Sequence, residues 1–143
     1  MNEYNVKAIN DAYKNAHIAL QSIADLLPSV EHHTLRAELK SQYEGYDNVI
    51  REMSNYMISK NVTPKDVNIF KKAMLWSSIK MKVAMNNSKN QIAEMMINGT
   101  VMGINELTAM INESDNLLPE VKSLVEKLLR LEEDYMEKLK KFL

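Results

Sequence analysis

The sequence predicts an all-α fold in a single domain, and three observations predict it. Apolar residues recur at spacings of three and four along almost the whole chain, and no run alternates with period two for long enough to make a strand. Glycine and proline number three each, which leaves room only for short connections. The chain of 143 residues matches the commonest size of one domain and is long enough to bury a core without covalent staples.

The first helix is predicted over residues 2–27. Val6, Ile9, Tyr13, Ala16, Leu20, Ile23 and Leu27 form one stripe, and Pro28 ends it because the residue before a proline avoids the helical region. The second helix, over 29–59, carries Leu35, Leu39, Gln42, Tyr46, Val49, Met53 and Tyr56 on one face and breaks at Asn61-Val62. Thr63-Pro64-Lys65-Asp66 then reads as a helix start, with Thr63 as cap, Pro64 at the first position and Asp66 answering as a capping box. That third helix spans 63–86 and yields at Asn86-Asn87-Ser88, where Ser88 caps a fourth helix over 89–114. A fifth helix, 119–143, has the stripe Val121, Leu124, Leu128, Leu131, Tyr135 and Phe142. Lys138, Lys140 and Lys141 lie at its C-terminal end, where the helix dipole favours cations.

The two ends of the chain resemble each other. Leu26-Leu27-Pro28-Ser29-Val30-Glu31 matches Leu117-Leu118-Pro119-Glu120-Val121-Lys122. Each corner follows a long helix that holds an Ile-Asn pair, Ile9-Asn10 or Ile97-Asn98. Tyr43-Glu44-Gly45-Tyr46 aligns with Glu132-Glu133-Asp134-Tyr135. The expected organisation is two helical hairpins, 1–60 and 88–143, joined by a connecting helix at 63–86.

Two hairpins joined by a long crossover describe a ferritin-like four-helix bundle. In sequence texture the C-terminal half resembles the rubrerythrin branch: Ile97-Asn98-Gly99 and Asn105-Glu106-Leu107 are similar to its third bundle helix, and Leu131-Glu132-Glu133-Asp134-Tyr135 to its fourth. That family holds two metal ions with a Glu from each of two helices and a Glu-x-x-His from each of the others. Here His17, His32 and His33 are preceded three positions earlier by Lys14, Ser29 and Val30, so no Glu-x-x-His exists. The matching positions read Tyr43-x-x-Tyr46 and Glu132-x-x-Tyr135, and the position of a bridging acid falls near Gly99. Of the acidic positions only Glu132 is kept. The resemblance therefore implies the bundle without its metal site, and neither metal nor cofactor is expected.

Two readings of the altered centre stand. In one, Tyr46 and Tyr135 fill the vacated volume and share hydrogen bonds with Glu132, with Tyr43, Tyr13 and His17 alongside, because a buried phenol needs a polar partner. In the other, Glu132 reaches solvent and the tyrosines are boundary residues.

Other constellations point to packing. His32 and His33 are adjacent at a helix start and diverge by about 100°. Seven of the eleven methionines fall between Met74 and Met110; they suit an adaptable core or interface, or a pocket for a small apolar ligand, better than a thioether metal site. Gly99 and Gly103 stand four apart, and glycine inside a helix costs up to about 1 kcal/mol, so a close helix approach is expected at both. Residues 60–89 hold seven lysines against one acid, Asp66, but the lysines are scattered between two apolar stripes. Val67, Phe70, Met74, Met81 and Met85 form one stripe; Ile69, Trp76 and Val83 form the other, on nearly the opposite side. A helix apolar on both sides is sandwiched, and the expectation is a homodimer through Ile69, Trp76 and Val83.

Composition narrows the function classes. There is no cysteine, which removes disulfides and thiolate chemistry and suits a reducing cytoplasm. The N-terminus is polar, with no signal-peptide core, and no apolar window of membrane-spanning length occurs. A formal net charge of -1 gives no pull towards nucleic acid. Three functional readings follow. The first is a non-catalytic, metal-free bundle acting through self-association, a partner or a small ligand. The second is a divergent metal or redox protein using Glu132 with Glu38, Glu106 or His17. The third is a binder of polyanions or membrane surfaces through residues 60–89.

Overall fold

A computed structural model of the chain describes residues 1–65, 88–113 and 115–143. Within them the fold is all-α. Helix α1 spans Glu3–Leu26, a 3-10 turn Leu27–Ser29, α2 His33–Ser59, α3 Lys89–Asn112 and α4 Pro119–Lys140. The four helices pack against one another, α1 most extensively on α2 and α3 on α4, with α1–α4, α2–α4 and α1–α3 contacts closing the bundle. The proposed helix over 63–86, with its candidate interface residues Ile69, Trp76 and Val83, lies outside the described residues apart from Thr63, Pro64 and Lys65.

Three of the four helix starts carry a side-chain cap, and α4 starts with Pro119 at its first position instead. Asn2 accepts from the Asn5 backbone N–H at 2.9 Å and Ser88 from that of Gln91 at 3.3 Å. Helix α2 begins at His33, four residues later than the sequence suggests. Val30 is drawn into the core in extended backbone, which delays the start, and His32 becomes the cap, its Nδ1 accepting from Leu35 N–H at 3.2 Å. The α2 C-terminus closes on Asn61 in the left-handed region (φ 57°), with Asn61 N–H donating to Ile58 and Val62 N–H to Met57. Val62 then packs on the core.

Contacts between helices fix their directions. Tyr56 near the end of α2 meets Met1, so α2 runs antiparallel to α1. Leu118, just before α4, donates its N–H to Asn5 Oδ1 at 2.8 Å, so α4 starts where α1 starts. His32 packs edge-on to Phe142, and Lys127 pairs with Glu52 at 2.6 Å, so α2 and α4 are antiparallel. The core these helices enclose includes Ile9, Ala16, Ile23, Leu35, Leu39, Met53, Met57, Leu107, Val125, Leu128 and Leu139.

Helix α1 also buries three asparagines that the apolar stripe does not contain, Asn5, Asn10 and Asn15. Five residues at about 100° each turn successive members by about 140°, so the three point to three different neighbours. Asn5 accepts from Leu118 N–H, Asn10 accepts from Lys65 N–H at 3.1 Å, and Asn15 donates to the Gly103 carbonyl at 3.2 Å. One helix thereby tethers the backbone of three other segments.

Candidate functional site: a buried carboxylate among tyrosines

Midway along α4, Glu132 falls on the face that carries Leu128, Tyr135 and Leu139, and it is 1 % exposed. A carboxylate at such a position reaches no water, and the reading in which Glu132 is solvated is set aside. From α2, the fully enclosed Tyr46 turns its hydroxyl to Glu132 Oε2 at 3.5 Å. The Tyr46 ring meets Tyr135 edge-on, with centroids 5.4 Å apart, a geometry favoured by the ring quadrupoles.

Two glycines make the room. A Cβ on Gly45 would collide with the Tyr135 hydroxyl and come within 3.0 Å of its Cζ, so only glycine on α2 admits the phenol of α4. A Cβ on Gly103 would lie 2.6 Å from Glu132 Oε1 and 3.3 Å from Asn15 Oδ1. Gly103 on α3 therefore gives the carboxylate its space. Gly99 does not share this role: it is exposed, and a Cβ there would meet nothing within 4 Å among the described residues. The two glycines are one turn apart, but only the second faces α1 and α4.

The remaining predicted residues divide by face. Tyr13 and His17 pair with each other, rings edge-on at 4.6 Å, and the charge that acts on His17 comes from Asp47 of α2. Asn15, two residues from either, points roughly the opposite way. It is Asn15, which the sequence reading did not single out, that α1 contributes beside Glu132. Tyr43 is half-buried at the edge of the core. Gln42 is buried on α2 and donates to Glu38 at 2.9 Å, extending the polar interior by one turn.

The electrostatics follow from burial. Desolvation pushes the Glu132 carboxyl well above the usual carboxylate range, the negative Glu106 adds to the rise, and the Tyr46 hydrogen bond opposes it. Glu106 is itself raised, by desolvation first and then by Asp11, while the Asn15 amide holds it down. Burial raises the Tyr46 phenol well above its ordinary value, and Tyr135 is pushed up to about 12, again mainly by burial. His17 is lowered by burial, with Asp47 opposing.

The site thus holds one acid, two phenols and one amide in a desolvated interior. Among the described residues no group of three His, Cys, Asp or Glu side chains is gathered closely enough to hold a metal ion. Of the methionines between Met95 and Met110, Met96 is buried, Met95 and Met110 pack on the core, and Met102 is 60 % exposed. No helix among the described residues is long and apolar enough to cross a membrane. No family model, curated protein or solved structure matches the chain.

Proposed function

We propose that this chain is a non-catalytic, metal-free member of the ferritin-like bundles that acts through self-association. The observation that carries the reading is the filled centre. Two tyrosine rings 5.4 Å apart occupy the space between α2 and α4, and Gly45 is cut back to admit one of them. Ions bridged by carboxylates need that volume and need several acids turned towards it.

The helix directions support the ferritin-like assignment. Helix α3 packs on α4 and ends six residues before it, so it runs opposite to α4 and parallel to α2. A parallel second and third helix is the arrangement expected of two hairpins joined by a long crossover. The repeat supports it as well, because matching positions of the two hairpins meet at the centre, Asn15 with Gly103 and Tyr46 with Tyr135.

Self-association rests on the outer face of α3. Gly99 carries the propensity cost of a mid-helix glycine with no compensating contact among the described residues, and Met102, three positions on, is 60 % exposed beside Val101. A second copy crossing at Gly99 would place a helix against it, and two-fold homodimers are the commonest assemblies.

Light scattering and sedimentation of the full chain test the assembly, with Met102→Glu and Trp76→Glu in parallel. A dimeric mass that falls to the monomer in either variant supports it; a monomeric wild-type chain refutes it. Metal analysis of protein purified without chelator tests the rest. Stoichiometric iron or manganese, lost in Glu132→Gln, would establish the divergent metal protein instead.

A further inference from the structure

Glu132 Oε1 and Asn15 Oδ1 are both sealed from solvent, and neither accepts a hydrogen bond from any described residue. Both stand near one point, the position that a Cβ on Gly103 would take. Two acceptors cannot satisfy each other, and a bare buried acceptor keeps its full desolvation penalty. Turning the Asn15 amide over does not help. Its Nδ2 already donates to the Gly103 carbonyl, and a reversed amide would set oxygen against oxygen there.

A single proton serves both atoms. We infer that Glu132 is a buried proton-binding site: the carboxyl is held as the neutral acid, its Oε1–H donating to Asn15 Oδ1 while Oε2 accepts from the Tyr46 hydroxyl.

The groups around the site come from every helix packed on α4; burial and Glu106 favour the neutral acid, and the Tyr46 hydrogen bond alone opposes it. Helix α1 presents the neutral amide of Asn15; its charged residues Lys7, Asp11 and Lys14 act on Glu106. Helix α2 presents the Tyr46 hydroxyl, with Glu38 acting on Tyr135. Helix α3 presents Glu106, a second acid that disfavours ionisation of the first. On α4 itself the nearest titratable ring is Tyr135, beside Tyr46. Among the described residues no lysine or arginine pairs with Glu132; the ion pairs of the bundle fall on Asp11, Asp47, Glu52, Glu126, Asp134 and Glu137.

The consequence is a bundle tightened by acid. The unfolded chain ionises Glu132 near the ordinary value of 4.5, and the folded chain ionises it at higher pH. The stability tied to the proton is therefore complete below the unfolded value and is lost as pH rises through the folded one. Glu132→Gln keeps the shape and offers an N–H to Asn15 Oδ1, but it cannot ionise. His17, lowered by burial, has the opposite sign, so only the difference between wild type and Glu132→Gln isolates the site.

Infrared and carboxyl 13C NMR spectra of the full-length wild-type chain, prepared with chelator, test the proton directly. At pH 7 a protonated-carboxyl band should be present and should vanish in Glu132→Gln. The Tm advantage of Glu132→Gln over wild type should widen from pH 5 to pH 9. An ionised Glu132 at pH 7, or a Tm gap that does not change with pH, would overturn the inference. The wild-type 13C titration decides the matter even if the variant fails to fold, since a spectrum in which no side-chain carboxyl remains protonated at pH 7 also overturns it. If the protonated band is displaced when stoichiometric divalent cation is added, the proton inference stands and the metal-free reading fails.

Discussion

Substituting Gly45 or Gly99 by alanine makes two chemically identical changes with opposite expected outcomes. Alanine is favoured over glycine inside a helix by about 1 kcal/mol, so each variant begins with that gain. At Gly99 nothing among the described residues opposes it, and Gly99→Ala should stabilise by about that amount, raising Tm by roughly 2–4 °C in a chain of this length. At Gly45 the new Cβ collides with the Tyr135 hydroxyl. The ring cannot swing aside, because Tyr46 holds its edge and Leu131 lies on the same side, with Cδ1 3.5 Å from the new Cβ. Overpacking of this kind costs about 1–3 kcal/mol, more where backbone must move, and Gly45→Ala should be destabilising by up to about 2 kcal/mol after the propensity gain is subtracted. Removing the offending oxygen relieves most of the clash, leaving Cζ at 3.0 Å. Gly45→Ala in a Tyr135→Phe background should therefore cost less than in wild type, a coupling of about 1 kcal/mol between the two sites. Urea denaturation of the four members of the cycle measures it. If Gly45→Ala is as benign as Gly99→Ala, or if the two changes are additive, the packing of Tyr135 against α2 is not as described.

Two further outcomes follow from the tethers and the phenols. Asn5→Ala removes the acceptor for the Leu118 N–H and should cost about 1–2 kcal/mol. Hydrogen exchange should quicken first at the start of α4, and uniform acceleration along the chain would contradict a local tether. The Tyr135 phenol ionises at about 12 in the fold against an ordinary 10. Its stabilising share is whole below pH 10 and is lost as pH climbs from there to 12. Alkaline unfolding followed by tyrosinate absorbance should fall in that window and move upward in Tyr135→Phe; an unmoved transition would count against the buried phenol.

The apolar framework is legible in the sequence because burial in a helix imposes its own period. Leu35, Leu39, Val49 and Met53 on α2, and Val121, Leu124, Leu128 and Tyr135 on α4, read as stripes and fold as stripes. The polar interior carries no comparable signature. Asn5, Asn10 and Asn15 are spaced so that no single face collects them, and an isolated asparagine on a helix reads as a surface residue until its partner from another segment is known. The glycines mislead for a related reason. Gly99 and Gly103 share a spacing that suggests one small-residue face, but the need for a glycine comes from what lies opposite, and only Gly103 has Glu132 and Asn15 opposite. Gly45 carries no periodic signal between Glu44 and Tyr46, although its lack of a side chain is what lets Tyr135 into the bundle.

Positions that the internal alignment pairs, Asn15 with Gly103 and Tyr46 with Tyr135, meet in space. Two large side chains at matching positions then compete for one volume, and two acids at matching positions repel in a desolvated space. A chain with different halves can resolve the conflict by making the counterparts unequal. Asn15 faces Gly103, so one half supplies the amide and the other the space. Tyr46 and Tyr135 keep both rings by meeting edge-on, and the α2 half gives up a side chain at Gly45 where the α4 half has Asp134. Glu132 is buried while its counterpart Tyr43 is only partly so, which leaves a single acid at the centre, sharing its space with a neutral amide and a phenol. Such asymmetry is what an unsymmetrical sequence can build and an exact repeat cannot. The centre of this bundle holds one buried carboxyl, with no lysine or arginine paired to it among the described residues.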